Sequence, residues 1–264
     1  MGSRTLIGLP DDVSSRPFRD ALRAAEGFEI VLDAPASLAQ RLERRTLGAA
    51  LLSPIDFARN ASEYLVVPGS AVSSPEGNDS IVIHFRRGVK AVKTLAVQPV
   101  SASDIILAKI LLAERFDIEP RIMPVAGSLD SMLARADAAL LAGDAALGSV
   151  TERPGALDLV EEWIAATGLA YVHGFWCGRH QTLTEEEWTF IGELGSRVDP
   201  PAVPGGDAPA GSLFSYDFPD EVQEGIREFL RYAYYHGILP DVPDLRFFGA
   251  EDEEEPGPPL LSAN

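Results

Sequence analysis

The chain has 264 residues, 46% of them hydrophobic, which is enough to bury the core of one or two domains. Forty acids against 22 bases leave a net charge of −18, which argues against nucleic acid or an anionic membrane as partner. No run reaches the ~18 apolar residues of a membrane span, and the single cysteine, Cys177, excludes a disulfide and a Cys-based zinc site. The start, "MGSRTLIGLPDDV", lacks a secretory h-region and cleavage site, so a cytoplasmic location is expected.

In chain order, "RTLIGL" (4–9) predicts a strand that stops at Pro10. "SSRPFRDALRAAEG" (14–27) predicts a helix, with serines at its start, Pro17 in its first turn and Gly27 as its stop. "FEIVLD" (28–33) is strand-like, and "PASLAQRLERRTLG" (35–48) is helical, with Leu38 and Leu42 at i, i+4. "AALLS" (49–53) predicts a strand, and Pro54 opens a short helix. "SIVIHF" (80–85) and "TLAVQP" (94–99) are β-rich, and "SASDIILAKILLAERF" (101–116) is a helix with serine caps. "RIMPV" (121–125), "SLDSMLARA" (128–136) and the run 138–142 continue the alternation. Helices are expected at 157–168 and 219–239, with a Pro/Gly-rich connector at 198–214 between them. The tail 249–264 is acidic and proline-rich and is expected to be disordered.

The run Ala-Ala-Leu-Leu occurs at 49–52 and again at 138–141, each time after an arginine-bearing segment and before a polar break. The breaks are Ser53-Pro54 and Gly143-Asp144. Short apolar runs between such breaks predict buried strands of an α/β fold with parallel strands. Ligands of such folds lie beyond the carboxyl ends of the strands. The repeat therefore predicts two similar lobes with a ligand cleft between them: residues 1–92 with 175–248, and residues 93–174.

Four stretches carry a resemblance. They are "APASLAQRLERRTLGAALLSPIDFARNASEYLVVPGSAVSS" (34–74), "SASDIILAKILL" (101–112), "DAALLAGDAAL" (137–147) and "DLVEEWIAATGLAYVHGFWCGR" (158–179). The chain resembles the menaquinone-biosynthesis proteins of the futalosine route, above all the chorismate dehydratases and more distantly the dihydroxynaphthoate synthases. The resemblance implies the two-lobed type II periplasmic-binding-protein fold. It also implies loss of water from chorismate, without a cofactor, to give 3-[(1-carboxyvinyl)oxy]benzoate. A non-catalytic carboxylate-binding or sensor protein on the same fold is the alternative. Two positions depart from the family pattern. Ser14 stands where an asparagine is usual, and Asp104 ends "SASD" where the family reads Ser-Arg-Thr-Ser.

The expected partner is a small carboxylate, and the oligomeric state stays open, a homodimer included. Ser53, Ser101 and Ser103 precede or open helices and could hold a carboxylate there, besides capping the helix. Asp144 ends the second AALL strand and serves either the ligand, a helix cap or an interlobe hydrogen bond. Ser14 stands before the first helix, and His173 is the histidine nearest the inferred cleft, which makes both catalytic candidates. Asp104, if ionised and facing the cleft, is expected to repel a dicarboxylate: one charge pair at ~5 Å and an effective dielectric near 20 costs about 3 kcal/mol. No Walker or G-x-G-x-x-G motif is present, the remaining histidines do not cluster, and Cys177 with His180 has no accompanying oxyanion motif. No metal or nucleotide cofactor is expected.

Overall fold

Short apolar runs alternating with capped helices build two sheets, and each sheet contains one AALL run. The computed structural model describes residues 4–98, 100–200 and 213–250. The expected disordered tail falls almost wholly outside the described residues. The chain opens with β1 (Thr5–Leu9), α1 (Arg16–Ala24), β2 (Phe28–Leu32), α2 (Pro35–Glu43) and β3 (Ala49–Leu52). Both helices carry proline in the first turn, where its missing N–H leaves nothing unpaired. Each buries an i, i+4 pair against the sheet, Phe18 with Leu22 and Leu38 with Leu42. There follow α3 (Pro54–Ala58), β4 (Tyr64–Ser74), β5 (Ile81–Phe85), β6 (Thr94–Val97) and α4 (Ala102–Phe116). Next come β7 (Arg121–Pro124), α5 (Leu129–Leu133), β8 (Ala138–Ala142), α6 (Asp144–Glu152) and β9 (Leu157–Asp158). The chain continues as α7 (Leu159–Thr167), β10 (Tyr171–Arg179), α8 (Glu185–Arg197), β11 (Ser215–Phe218) and α9 (Asp220–Tyr235).

The first sheet has the order β11-β4-β10-β3-β1-β2 and the second β7-β6-β8-β5-β9. The AALL strands, β3 and β8, occupy equivalent inner places. Each has a parallel neighbour on one side, β1 or β6, and an antiparallel one on the other, β10 or β5. Both sheets are therefore mixed rather than purely parallel. The antiparallel members β5 and β10 are the strands that the chain forms on arriving from the opposite sheet.

The lobe boundaries differ from the sequence expectation. β5 belongs to the second sheet, so the first crossing falls within 75–80 and not at 92–93. Tyr171–Gly174 already pair with β4, so the return is complete before residue 171 and not after 174. The segment expected to cross between the lobes, 91–99, instead ends a basic turn and enters β6 of the second sheet. Asp137 holds that turn there by pairing with Arg86 (2.5 Å) and accepting from the Lys93 and Thr94 amides (3.0 and 3.1 Å).

One apolar cluster runs through both lobes, from Leu52 and Phe175 to Leu107, Leu140 and Trp163. Trp163 of α7 packs its ring against Tyr171, Phe229 and Tyr232, which ties the return crossing to β10 and α9. α8 lies on β4 at backbone contact. An added Cβ on Gly192 would collide with the Pro68 carbonyl, and one on Gly69 (φ +96°) would sit 2.8 Å from the Gly192 carbonyl.

Candidate functional site

Five helices, α1, α2, α3, α4 and α6, start around one cleft of about 390 Å³ between the two sheets. That volume suits a small organic ligand, for which pockets of ~300–1,000 Å³ are usual. The first lobe contributes Asp12, Ser14 and Ser53, and the second Ser80, Ser101, Asp104 and Asp144. Leu51, Val72, Ile81, Leu141 and Phe214 form apolar walls, and His173 of β10 stands beside Phe214.

The helix starts offer N–H groups and the positive end of the helix dipole. Here each start also has its own acid. The Asp12 carboxylate accepts from Ser14 Oγ (2.6 Å) and the Ser15 amide (3.1 Å) at α1. Asp33 accepts from the Ala34 amide (2.8 Å) at α2. At α3, Ser53 Oγ donates to Asp56 Oδ2 (2.8 Å), and Arg59 flanks the other oxygen of Asp56 (3.1 Å). At α4, Ser101 and Asp104 form a capping box: the Asp104 amide donates to Ser101 Oγ (3.1 Å) and the Ser101 amide to Asp104 Oδ2 (3.2 Å). At α6, Asp144 reaches across the cleft to accept from the Val13 amide (2.9 Å) and to pair with Arg16.

Two classes of carboxyl result. Asp11, Asp33 and Asp144 are at the rim and pair with Arg19, Arg41 and Arg16. Asp12 and Asp104 are inside and, among the described residues, form no salt bridge with any arginine, lysine or histidine. Burial pushes the Asp12 carboxyl up, against hydrogen bonds from Ser14 and Ser15. Burial likewise raises Asp56, against its Ser53 hydrogen bond. It pushes Asp104 up to about 7, against its hydrogen bonds with Ser101. Burial also pushes His173 down to about 3, so its ring is neutral throughout the physiological range. Its Nε2 sits 2.8 Å from Ser74 Oγ, which Asn78 also contacts (2.7 Å).

Six of the seven residues chosen from the sequence line this cleft: Ser14, Ser53, Ser101, Asp104, Asp144 and His173. Ser103 does not. Its side chain is fully buried, and its Oγ accepts from the Ile55 amide (2.9 Å), which joins the start of α4 to the start of α3. A hydroxyl at the second position of a helix need not face the same way as the cap, and here it faces α3. Ser103→Ala is expected to cost about 1–3 kcal/mol, because it strands a buried N–H. Urea unfolding should show that loss, and ligand affinity measured on the folded variant should be unchanged. His173 lines the cleft, and burial lowers the proton affinity of its ring.

Sequence reasoning missed Asp12, Asp33 and Ser80. The strand-end rule that found Ser53 would have found the first two, since Asp12 follows β1 and Asp33 follows β2. Ser80 lies in the crossing that was not recognised. Its hydroxyl is buried, lines the cleft and has no hydrogen-bond partner among the described residues.

The two mixed sheets with a cleft at their helix starts define a protein of the periplasmic-binding-protein fold. Solved structures with TM-scores of at least 0.6 share it. Protein AF1704 from Archaeoglobus fulgidus is 17% identical, with a TM-score of 0.64 over 89% of this chain and 98% of that one. The alkanesulfonate-binding protein SsuA from Xanthomonas axonopodis pv. citri, bound to MOPS, is 16% identical, with a TM-score of 0.60 over 92% and 96%. Within that fold, the chain belongs to the menaquinone biosynthesis family, which matches residues 5–193. No helix among the described residues is long and apolar enough to cross a membrane.

Proposed function

We propose that this protein is a cytoplasmic, cofactor-independent hydro-lyase of the chorismate dehydratase kind. Family membership supports a role in menaquinone biosynthesis. The observation that carries the reading is the cleft itself: helix starts with Ser53 and Ser101, apolar walls, and two inner carboxyls whose proton affinity burial has raised. Dehydration of chorismate removes the ring proton at C3 and the hydroxyl at C4 and leaves a benzene ring. Aromatisation supplies the driving force. The protein has to orient the ring, accept one proton and return one to the departing hydroxyl. Burial raises the proton affinity of Asp12, hydrogen-bonded to Ser14, and pushes Asp104 up to about 7, which suits both to proton transfer. The apolar walls match the ring faces, and the first-turn N–H groups of α4 suit carboxylate oxygens.

Incubation with chorismate, followed by ultraviolet absorbance and chromatography, should show loss of the diene and appearance of the substituted benzoate. Asp12→Asn should reduce the rate by about 10²-fold or more, the usual range for a proton-transferring group. A second reading is favoured by the five acids at the helix starts: a non-catalytic carboxylate binder or sensor. Thermal stabilisation by chorismate with no product would establish the second reading and exclude the first.

A further inference from the structure

Asp104 is the inner carboxyl of the second lobe, and among the described residues it forms no salt bridge. Of its two oxygens, Oδ2 accepts from the Ser101 amide, and Oδ1 takes part in no hydrogen bond with the described residues. The groups that face it add no positive charge. From the β1–α1 loop comes Asp12, and from α3 comes Asp56. From β10 come the neutral His173 and Tyr171, whose buried hydroxyl lies against the Asp104 carboxyl without completing a well-formed hydrogen bond among the described residues. Asp144 of α6 is directed to Arg16 and Val13. Asp12 across the cleft and Asp56 buried behind it both act on the Asp104 carboxyl, and Arg59 pairs with Asp56 alone, so the three carboxyls repel one another if all are charged.

We infer that Asp104 enters the ligand complex as a neutral carboxyl and donates a hydrogen bond to an anionic oxygen of a carboxylate ligand, so that binding takes up a proton. The inference rests on the reading of the cleft as a carboxylate site. It reverses the simplest expectation for an acid at this position, since a protonated Asp104 attracts the ligand that an ionised one repels. It also makes the residue a specificity determinant, because a neutral or cationic ligand gains nothing from the donor. Burial, which places the Asp104 carboxyl at about 7, puts the transition within reach of ordinary buffers.

The test is calorimetry of chorismate and benzoate, each at pH 6, 7 and 8 and in two buffers of different ionisation enthalpy. For the wild type, affinity should fall about tenfold per pH unit above ~7, the slope of one coupled proton, with matching proton uptake. Asp104→Asn keeps the oxygen that accepts from Ser101. Its affinity should be nearly flat from pH 6 to 8 and its proton uptake close to zero. A flat wild-type profile, or equal uptake in the variant, overturns the inference. Failure of both carboxylates to bind at pH 6 overturns it too. Binding of benzoate with proton uptake but without any binding of chorismate sinks the dehydratase reading and leaves this one standing. A ligand-free control reads the same proton. The folded carboxyl at about 7 lies above its ordinary 3.8, so its contribution to stability is complete at low pH and is lost as pH rises through 7. The wild-type melting temperature should therefore fall from pH 6 to pH 8 more than that of Asp104→Asn, and equal falls would count against the inference.

Discussion

Gly192→Ala is expected to destabilise the protein by about 3 kcal/mol or more, the upper part of the range for overpacking a well-packed site. A methyl at this position meets the Pro68 carbonyl, and backbone cannot rotate aside as a side chain can. Relief requires α8 to lift off β4, which would uncover Ile191 and Leu194, both buried on that face. At about 2–4 °C per kcal/mol for a domain of this size, the melting temperature should drop by roughly 6–12 °C. Gly148 supplies a control of opposite sign. It lies in α6, and an added Cβ there meets nothing within 4 Å. Gly148→Ala should stabilise by up to about 1 kcal/mol, because alanine has the higher helix propensity. If the two variants melted alike, the close approach of α8 to β4 would be refuted.

Trp163→Ala should cost about 3–5 kcal/mol, the usual range for emptying a buried aromatic site. The ring is 1% exposed, with ring centroids of Tyr171, Phe229 and Tyr232 at 6.4, 5.6 and 5.6 Å. Trp163→Phe separates volume from polarity. The indole N–H is buried without a hydrogen-bond partner among the described residues, so phenylalanine removes that donor while it leaves a smaller cavity. Its loss should stay below about 2 kcal/mol. Chemical denaturation of both variants decides the point. Equal losses would mean that the N–H is satisfied and that only volume counts.

The fold was legible where the sequence repeats itself. Ala-Ala-Leu-Leu appears twice, each copy bounded by a polar break, and the two copies are equivalent strands of the two sheets. β4 was not read as a strand because Pro68 and Gly69 lie in its middle, and both residues ordinarily end strands. They are tolerated because α8 packs on that irregular stretch. α8 escaped notice for a related reason: its two glycines lower helix propensity, and they are needed for a contact that only the folded chain displays. The lobe boundary was misplaced because the β-rich stretch 91–99 resembles a crossing in sequence, while Asp137, 44 residues beyond Lys93, is what fixes its start in the second lobe. For the site, the serines and acids at strand ends could be listed from the sequence. Which of them share a cleft could not, because Asp12 and Asp104 lie more than ninety residues apart in the chain. Ser103 shows the converse, a hydroxyl of the right type at the right place in sequence that faces another helix.

The contact of Asp144 with Val13 and Arg16 spans the mouth of the cleft, and it has a kinetic consequence. The expected result is that a ligand reaches the floor after this bridge has parted. At high ligand concentration the observed binding rate should therefore level off at the opening rate instead of rising without limit. The measured dissociation constant is weakened by the fraction of molecules that are shut. Asp144→Ala removes both contacts from one side of the mouth, and stopped-flow mixing should find the plateau raised, with a tighter overall affinity for the same ligand.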